Sequence, residues 1–106
     1  MSEPAEGSAG GPRATLTLLV RAYCHLCEEM RDGLMPIAAA HGVTVESIDI
    51  DAAGNEALAA RWGEWVPVLF AGTPEADHEL CHYRLDRDPL IAALAAMPIA
   101  QDAKIR

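Results

Sequence analysis

The sequence predicts an α/β domain with the element order β-α-β-α-β-β-α, on two observations. First, short runs rich in β-branched and aliphatic residues (TLTLLVR at 15–21, VTVESIDI at 43–50, VPVLFA at 66–71 and HELCHYRL at 78–85) are interleaved with segments whose apolar residues recur at helical spacing. Second, the connections differ in length. The first two runs are far enough apart to hold a helix, which makes them parallel with a right-handed crossover. The last two are separated by a short Gly-Thr-Pro turn and a few polar residues, so they pair antiparallel. A four-stranded mixed sheet flanked by helices follows. With only 5% aromatic residues, its core is expected to be aliphatic.

Each element has its own justification. Thr15 to Arg21 ends in consecutive apolar residues, the pattern of a strand buried on both faces. Leu26, Met30, Leu34 and Ile37 then form the stripe of an amphipathic helix, with Glu28, Glu29, Arg31 and Asp32 opposite. Gly33 and Pro36 predict a kink or break before Ala38 to Ala40, and Gly42 a left-handed stop. His41, beside it, is placed to interact with the helix dipole. Val43 to Ile50 is the second strand. Asp51 is the expected cap of a short helix in which Leu58 and Trp62 share a face and which Gly63 ends.

The third strand, Val66 to Ala71, carries Pro67 at its second position, which puts that proline at the strand's beginning or at an edge. In the fourth, His78 to Leu85, a period of two separates Glu79, Cys81 and Tyr83 from His78, Leu80 and His82. Asp88 and Pro89 are the expected cap and first residue of a last helix, which carries Leu90, Ile91, Leu94 and Met97 and stops near Pro98.

One domain is expected over residues 15–99, between a disordered N-terminal tail at 1–14 and a short C-terminal tail at 100–106. The first fourteen residues combine Glu, Gly, Ser and Pro and hold no apolar stretch of the kind a signal peptide needs. Nothing approaches the roughly 18 apolar residues of a membrane span. The expectation is a cytoplasmic monomer with no membrane partner. A net charge of −8 excludes nucleic acid, whose affinity for proteins comes mainly from Lys and Arg. Three cysteines, an odd number, argue against a secreted disulfide scaffold. In a reducing compartment a Cys pair is more often catalytic or metal-binding than structural.

Residues 21–30, RAYCHLCEEM, set Cys24 between a strand end and a helix start. Free backbone N–H groups and the positive end of the helix dipole favour a thiolate there. Cys24 is therefore the candidate nucleophile. Cys27, about one turn further on, is the candidate resolving thiol. Two other readings stay open: a pair of small buried residues, or half of a zinc or iron-sulfur site completed from His78, Cys81 and His82. Strand alternation weighs against the metal site, because it sets Cys81 and His82 on opposite faces. No metal ligands are assigned, and Cys81 is expected to be a small buried apolar residue.

The order of elements, the CHLC motif at the first strand-helix junction and the WVPVLF segment resemble the thioredoxin fold and, within it, the glutaredoxin-like family. RWGEWVPVLF and ELCHYRLD are similar to small bacterial proteins of that kind. The resemblance covers residues 15–97. It implies a thiol-disulfide oxidoreductase in which Cys24 attacks a protein disulfide or glutathione mixed disulfide and Cys27 resolves the adduct. It also implies a carboxylate-binding role for Arg21, three positions before Cys24, and a groove-lining role for Tyr23 and Trp65, which could equally cover core edges. Val66, preceding a cis Pro67, would pair its backbone with glutathione or a substrate peptide. His25 has two readings: a protonated imidazole that stabilises the neighbouring thiolate, or a solvated side chain with no role.

The implied partners are a disulfide-containing or glutathionylated protein, or glutathione as co-substrate, with no tightly bound cofactor. The sequence departs from glutaredoxins at three places, one of them the atypical pair of Gly33 and Pro36 in the first helix. His25 stands where they carry proline. His82, Tyr83, Arg84, Leu85 and Asp86 stand where a glycine pair and an acidic cap hold the γ-glutamyl carboxylate of glutathione, leaving Asp86 or Asp88 as the substitute. The alternatives to an oxidoreductase are a non-catalytic binding module on this fold and a zinc or iron-sulfur protein using Cys24 and Cys27.

Overall fold

The computed structural model describes residues 15–97. They form β1 (Thr15–Val20), α1 (His25–Ala40), β2 (Thr44–Asp49), α2 (Glu56–Trp62), β3 (Val68–Ala71), a short 3-10 turn (Ala76–His78), β4 (Glu79–His82) and α3 (Arg87–Ala96). The expected tails at 1–14 and 100–106 and the stop at Pro98 lie outside the described residues. The four strands make one sheet in the order β2-β1-β3-β4. β1 is parallel to β2 and antiparallel to β3, and β3 is antiparallel to β4. This is the mixed sheet that the connection lengths predict.

Both faces of the two central strands are covered, which explains their unbroken apolar runs. On one face Leu16, Leu18, Leu69 and Cys81 pack against Met30, Leu34 and Ala38 of α1 and Leu90 and Leu94 of α3. On the other, Leu19, Val68 and Phe70 meet Ile50 and Trp62, with Leu58 and Ala59 of α2 at the margin. The Trp62 and Phe70 rings meet edge to face at 5.0 Å. Thr17 is buried among these residues, and its hydroxyl is satisfied by donating to the Gly72 carbonyl.

Several local expectations are corrected. α1 runs from His25 to Ala40 without the break expected at Pro36. Pro36 faces solvent, where the carbonyl that loses its amide partner can be hydrated, while Met30 and Leu34 before it and Ala38 after it are pinned to the sheet. The buried stripe is Cys27, Met30, Leu34 and Ala38, with Leu26 and Ile37 half-buried beside it. Gly33 has a packing reason: a Cβ there would stand 3.1 Å from Cδ2 of Leu85, which lies against α1.

The helix caps also move. α2 is preceded by Asn55 rather than Asp51, because residues 51–54 form a turn in which Gly54 takes φ +93°. α3 is capped by Asp86, whose carboxylate accepts from the Asp88 amide at 3.2 Å, and not by Asp88. Pro89 therefore sits inside the first turn, where a missing N–H costs nothing.

β4 is shorter than expected, and its register with β3 shifts: Phe70 pairs with Glu79, Leu69 with Cys81 and Val68 with His82. Leu80 is the extra residue of a bulge. The strict alternation fails there, and Glu79 and His82 come to the same side of the sheet, where Oε2 and Nδ1 are 2.6 Å apart. Gly42 at φ +68° is the expected left-handed stop after α1.

Candidate functional site

The register gathers the motif residues at one end of the sheet. Leu19 pairs with Val68 and Val68 with His82, so the segments after β1, before β3 and after β4 lie side by side. The Tyr83 amide donates to the Pro67 carbonyl at 2.9 Å, and the Val66–Pro67 peptide bond is cis. The Ile50 amide donates to the Val20 carbonyl at 3.0 Å, bringing the end of β2 to the same place.

Cys24 is the N-cap of α1. Its backbone is extended, and its Sγ accepts a hydrogen bond from the Cys27 amide at 3.1 Å. The Cα atoms of Cys24 and Cys27 are 5.1 Å apart, and the sulfurs are close enough for a disulfide. Their environments differ: Cys24 is half-buried, whereas Cys27 is only 3% exposed, behind the first turn of the helix. An anionic Cys24 sulfur would gain the Cys27 N–H and the positive helix end, both of which favour the charged form.

The remaining expected site residues have definite surroundings. Tyr23 holds the left-handed conformation at φ +58° and projects fully into solvent immediately before Cys24. His25 opens α1, and its Nε2 lies 2.8 Å from Oε2 of Glu29, one turn along the exposed face of the helix. Arg21 donates from Nε to Oδ2 of Asp51 at 3.1 Å, from Nη2 to Oδ1 at 3.0 Å, and from Nη1 to the Gly63 carbonyl at 3.1 Å. The hydrogen bonding between Arg21 and Asp51 raises the guanidinium above its usual range and holds the Asp51 carboxyl below the usual carboxylate range. Arg21 thus already grips a carboxylate of its own chain.

Two features escape a reading of the sequence alone. Asp51 is one: its role follows from β1 and β2 running parallel with Val20 opposite Asp49, which carries Arg21 alongside the residues after β2. The other is an aromatic group made by Trp65, His82 and Tyr83. Trp65 and Tyr83 stack at 6.0 Å with 30° between their planes, and His82 meets each edge-on at about 5 Å. Tyr83 has φ +65°, and its hydroxyl donates to the Glu64 carbonyl at 2.8 Å. Trp65 stays 43% exposed and Tyr83 41%.

Cys81 lies away from this surface, in the core beneath α1 and α3. Burial pushes its thiol up, against a smaller opposing effect of a hydrogen bond with the backbone of Asp86. Among the described residues no group of three or more His, Cys, Asp or Glu side chains is placed to hold a metal ion. Nor, among them, is any helix long and apolar enough to cross a membrane.

Residues 15–95 match the model of the glutaredoxin-like domain (DUF836). The chain is similar to the solved structure of protein Ne2328 from Nitrosomonas europaea, with 40% identity over 79% of this chain and 94% of that one, at a TM-score of 0.63. It is also similar to a structural genomics target from X. campestris, with 35% identity over 78% of this chain and 99% of the other, at a TM-score of 0.55. Thioredoxin O1 from Arabidopsis thaliana shares only 18% identity, over 77% of this chain and 75% of its own, at a TM-score of 0.55, and shows the thioredoxin-like fold alone. No curated protein matches the chain.

Proposed function

The chain belongs to the glutaredoxin-like domain family, and from that premise we propose that it is a thiol-disulfide oxidoreductase using Cys24 and Cys27. The observation that carries this reading is the inequality of the two sulfurs. Cys24 caps α1 and accepts the Cys27 amide, and Cys27 is buried one turn behind it. That arrangement suits a nucleophile backed by a resolving thiol.

In the reductive direction the Cys24 thiolate attacks one sulfur of a substrate disulfide. A Cys24–substrate disulfide forms, the substrate's own S–S bond breaks, and the expelled thiolate takes up a proton. Cys27 then loses its proton and attacks Cys24. The mixed disulfide breaks, the second substrate sulfur leaves as a thiol, and the Cys24–Cys27 disulfide remains. Two electrons have passed to the substrate. A second thiol donor, glutathione or a dithiol reductase, returns the pair to the reduced state. Val66 offers its backbone N–H and C=O to an extended partner segment. The substrate is a disulfide-containing or glutathionylated protein, the compartment is the cytoplasm, the working form is a monomer, and no tightly bound cofactor is needed.

A redox titration of wild type beside Cys24→Ser and Cys27→Ser tests this. Wild type should interconvert reversibly between dithiol and disulfide against glutathione or dithiothreitol buffers. Cys27→Ser should accumulate a mixed disulfide with a model peptide, and Cys24→Ser should form none. A Cys24–Cys27 disulfide that cannot be reduced and reformed at physiological potentials overturns the reading.

A further inference from the structure

The charges around the cysteine pair are arranged against an anionic ligand. Arg21 is bound to Asp51 through both carboxylate oxygens, and His25 faces Glu29. Glu28 in the first turn of α1 and Glu64 beside the Trp65–Tyr83 stack are exposed. Arg84 follows Tyr83, but in the cavity over β4 and the loop to α3 it lies among Glu79 and Asp86 as well as Arg87. The chain as a whole carries −8.

Beside this acidic surface three large rings face solvent: Tyr23 next to Cys24, and the stacked pair of Trp65 and Tyr83 flanking Val66 and Pro67. Two of the three, Tyr23 and Tyr83, have positive φ, a conformation that non-glycine residues adopt at a cost and that clusters at functional sites. Tyr83 is held there by hydrogen bonds from its amide to the Pro67 carbonyl and from its hydroxyl to the Glu64 carbonyl, so the stack is built against the segment that would receive a partner backbone. An exposed aromatic face edged by carboxylates attracts guanidinium and ammonium groups, through the ring quadrupole and through charge.

Resting on the oxidoreductase reading above, we propose that the partner is a cationic polypeptide segment. It carries Lys or Arg next to the cysteine under attack, and that side chain lies on the Trp65–Tyr83 face while the backbone runs along Val66. Glutathione, whose two carboxylates would meet Glu28, Glu64 and an Arg21 already paired with Asp51, is the poorer substrate of the same site.

The test uses the reduced full chain and three peptide disulfides that differ only in the residue flanking cysteine: Lys, Gln or Glu. Release of peptide thiol is followed in single turnover, with bis(2-hydroxyethyl) disulfide as an uncharged small control. At low ionic strength the Lys peptide should react roughly five- to tenfold faster than the Glu peptide, with Gln between them. The ratio should shrink in high salt as the surface charges are screened. Trp65→Leu should bring it down by at least half, and Glu64→Gln, an exposed substitution with little reach into the fold, should lower it independently.

A Lys-to-Glu ratio of one or less overturns the proposal, as does a ratio that neither substitution moves. If the small control is reduced while the peptides are not discriminated, only this inference falls. If neither the control nor any peptide is reduced, the oxidoreductase reading falls and takes the inference with it.

Discussion

Arg21 and Asp51 meet as a two-bond fork, Nε to Oδ2 at 3.1 Å and Nη2 to Oδ1 at 3.0 Å, and the third guanidinium nitrogen reaches the Gly63 carbonyl. One side chain thereby ties the end of β1 to the loop after β2 and to the end of α2. Because the folded state depresses the Asp51 carboxyl, the fork stabilises the protein above the ordinary carboxylate value of about 3.9. That contribution is lost as pH falls through the lower, folded value. Urea unfolding midpoints of wild type and Asp51→Asn should differ at pH 7 and converge below about pH 4. A gap that persists or widens in acid contradicts the assignment.

The three cysteines should separate by reactivity. In the reduced protein, iodoacetamide should label Cys24 fastest, at a rate that persists well below pH 8, because the helix start favours its thiolate. Cys81, buried and with its thiol pushed up, should react only when denaturant opens the core. Mass mapping of time points distinguishes them, and early label on Cys81 would show that the core beneath α1 and α3 is open.

Pro36→Ala should stabilise the fold. The alanine N–H can complete the helical bond to the Asp32 carbonyl on the exposed face of α1, and the ring's crowding of the preceding turn disappears. Part of the gain is offset by the greater freedom of the unfolded chain. The expected net change is about 1–2 kcal/mol in chemical denaturation, with no change in the redox behaviour of Cys24 and Cys27.

Phe70→Ala should cost about 3–5 kcal/mol, the range for removing a buried aromatic ring and leaving a cavity. Phe70 is fully buried in β3 and meets Trp62 edge to face, so the loss is shared by the sheet and α2. The intrinsic fluorescence of Trp62 should shift along with the denaturation midpoint, and an unchanged midpoint would place the core elsewhere.

The sheet, the two-sided burial of β1 and the place of Cys24 at a helix start were all legible from hydrophobic runs and connection lengths, because these are local or nearly local signals. Expectation and structure part where tertiary contacts override local preference. Pro36 stays inside α1 because packing on both sides of it outweighs the missing bond. Asp51 turns from capping to pairing because Arg21 arrives from another strand. The register shift at Leu80, which puts His82 within reach of Glu79 and Trp65, depends on how β4 meets β3, and no periodicity within residues 78–85 encodes it. Arg21 shows the limit of motif position: its place before Cys24 was readable, but the partner that occupies its guanidinium was not.

The extra residue at Leu80 also bears on how the molecule meets copies of itself. β4 is an outer strand of the sheet and has only four residues, and the bulge disturbs the spacing of its outward N–H and C=O groups. A strand from a second chain would find no regular ladder to extend. At the opposite edge, β2 presents the exposed carboxylates of Glu46 and Asp49, and charges on an edge strand disfavour its pairing with a second copy. The irregularity that brings His82 to the aromatic group therefore also blunts one of the two open margins at which a small sheet would otherwise template fibrillar aggregation.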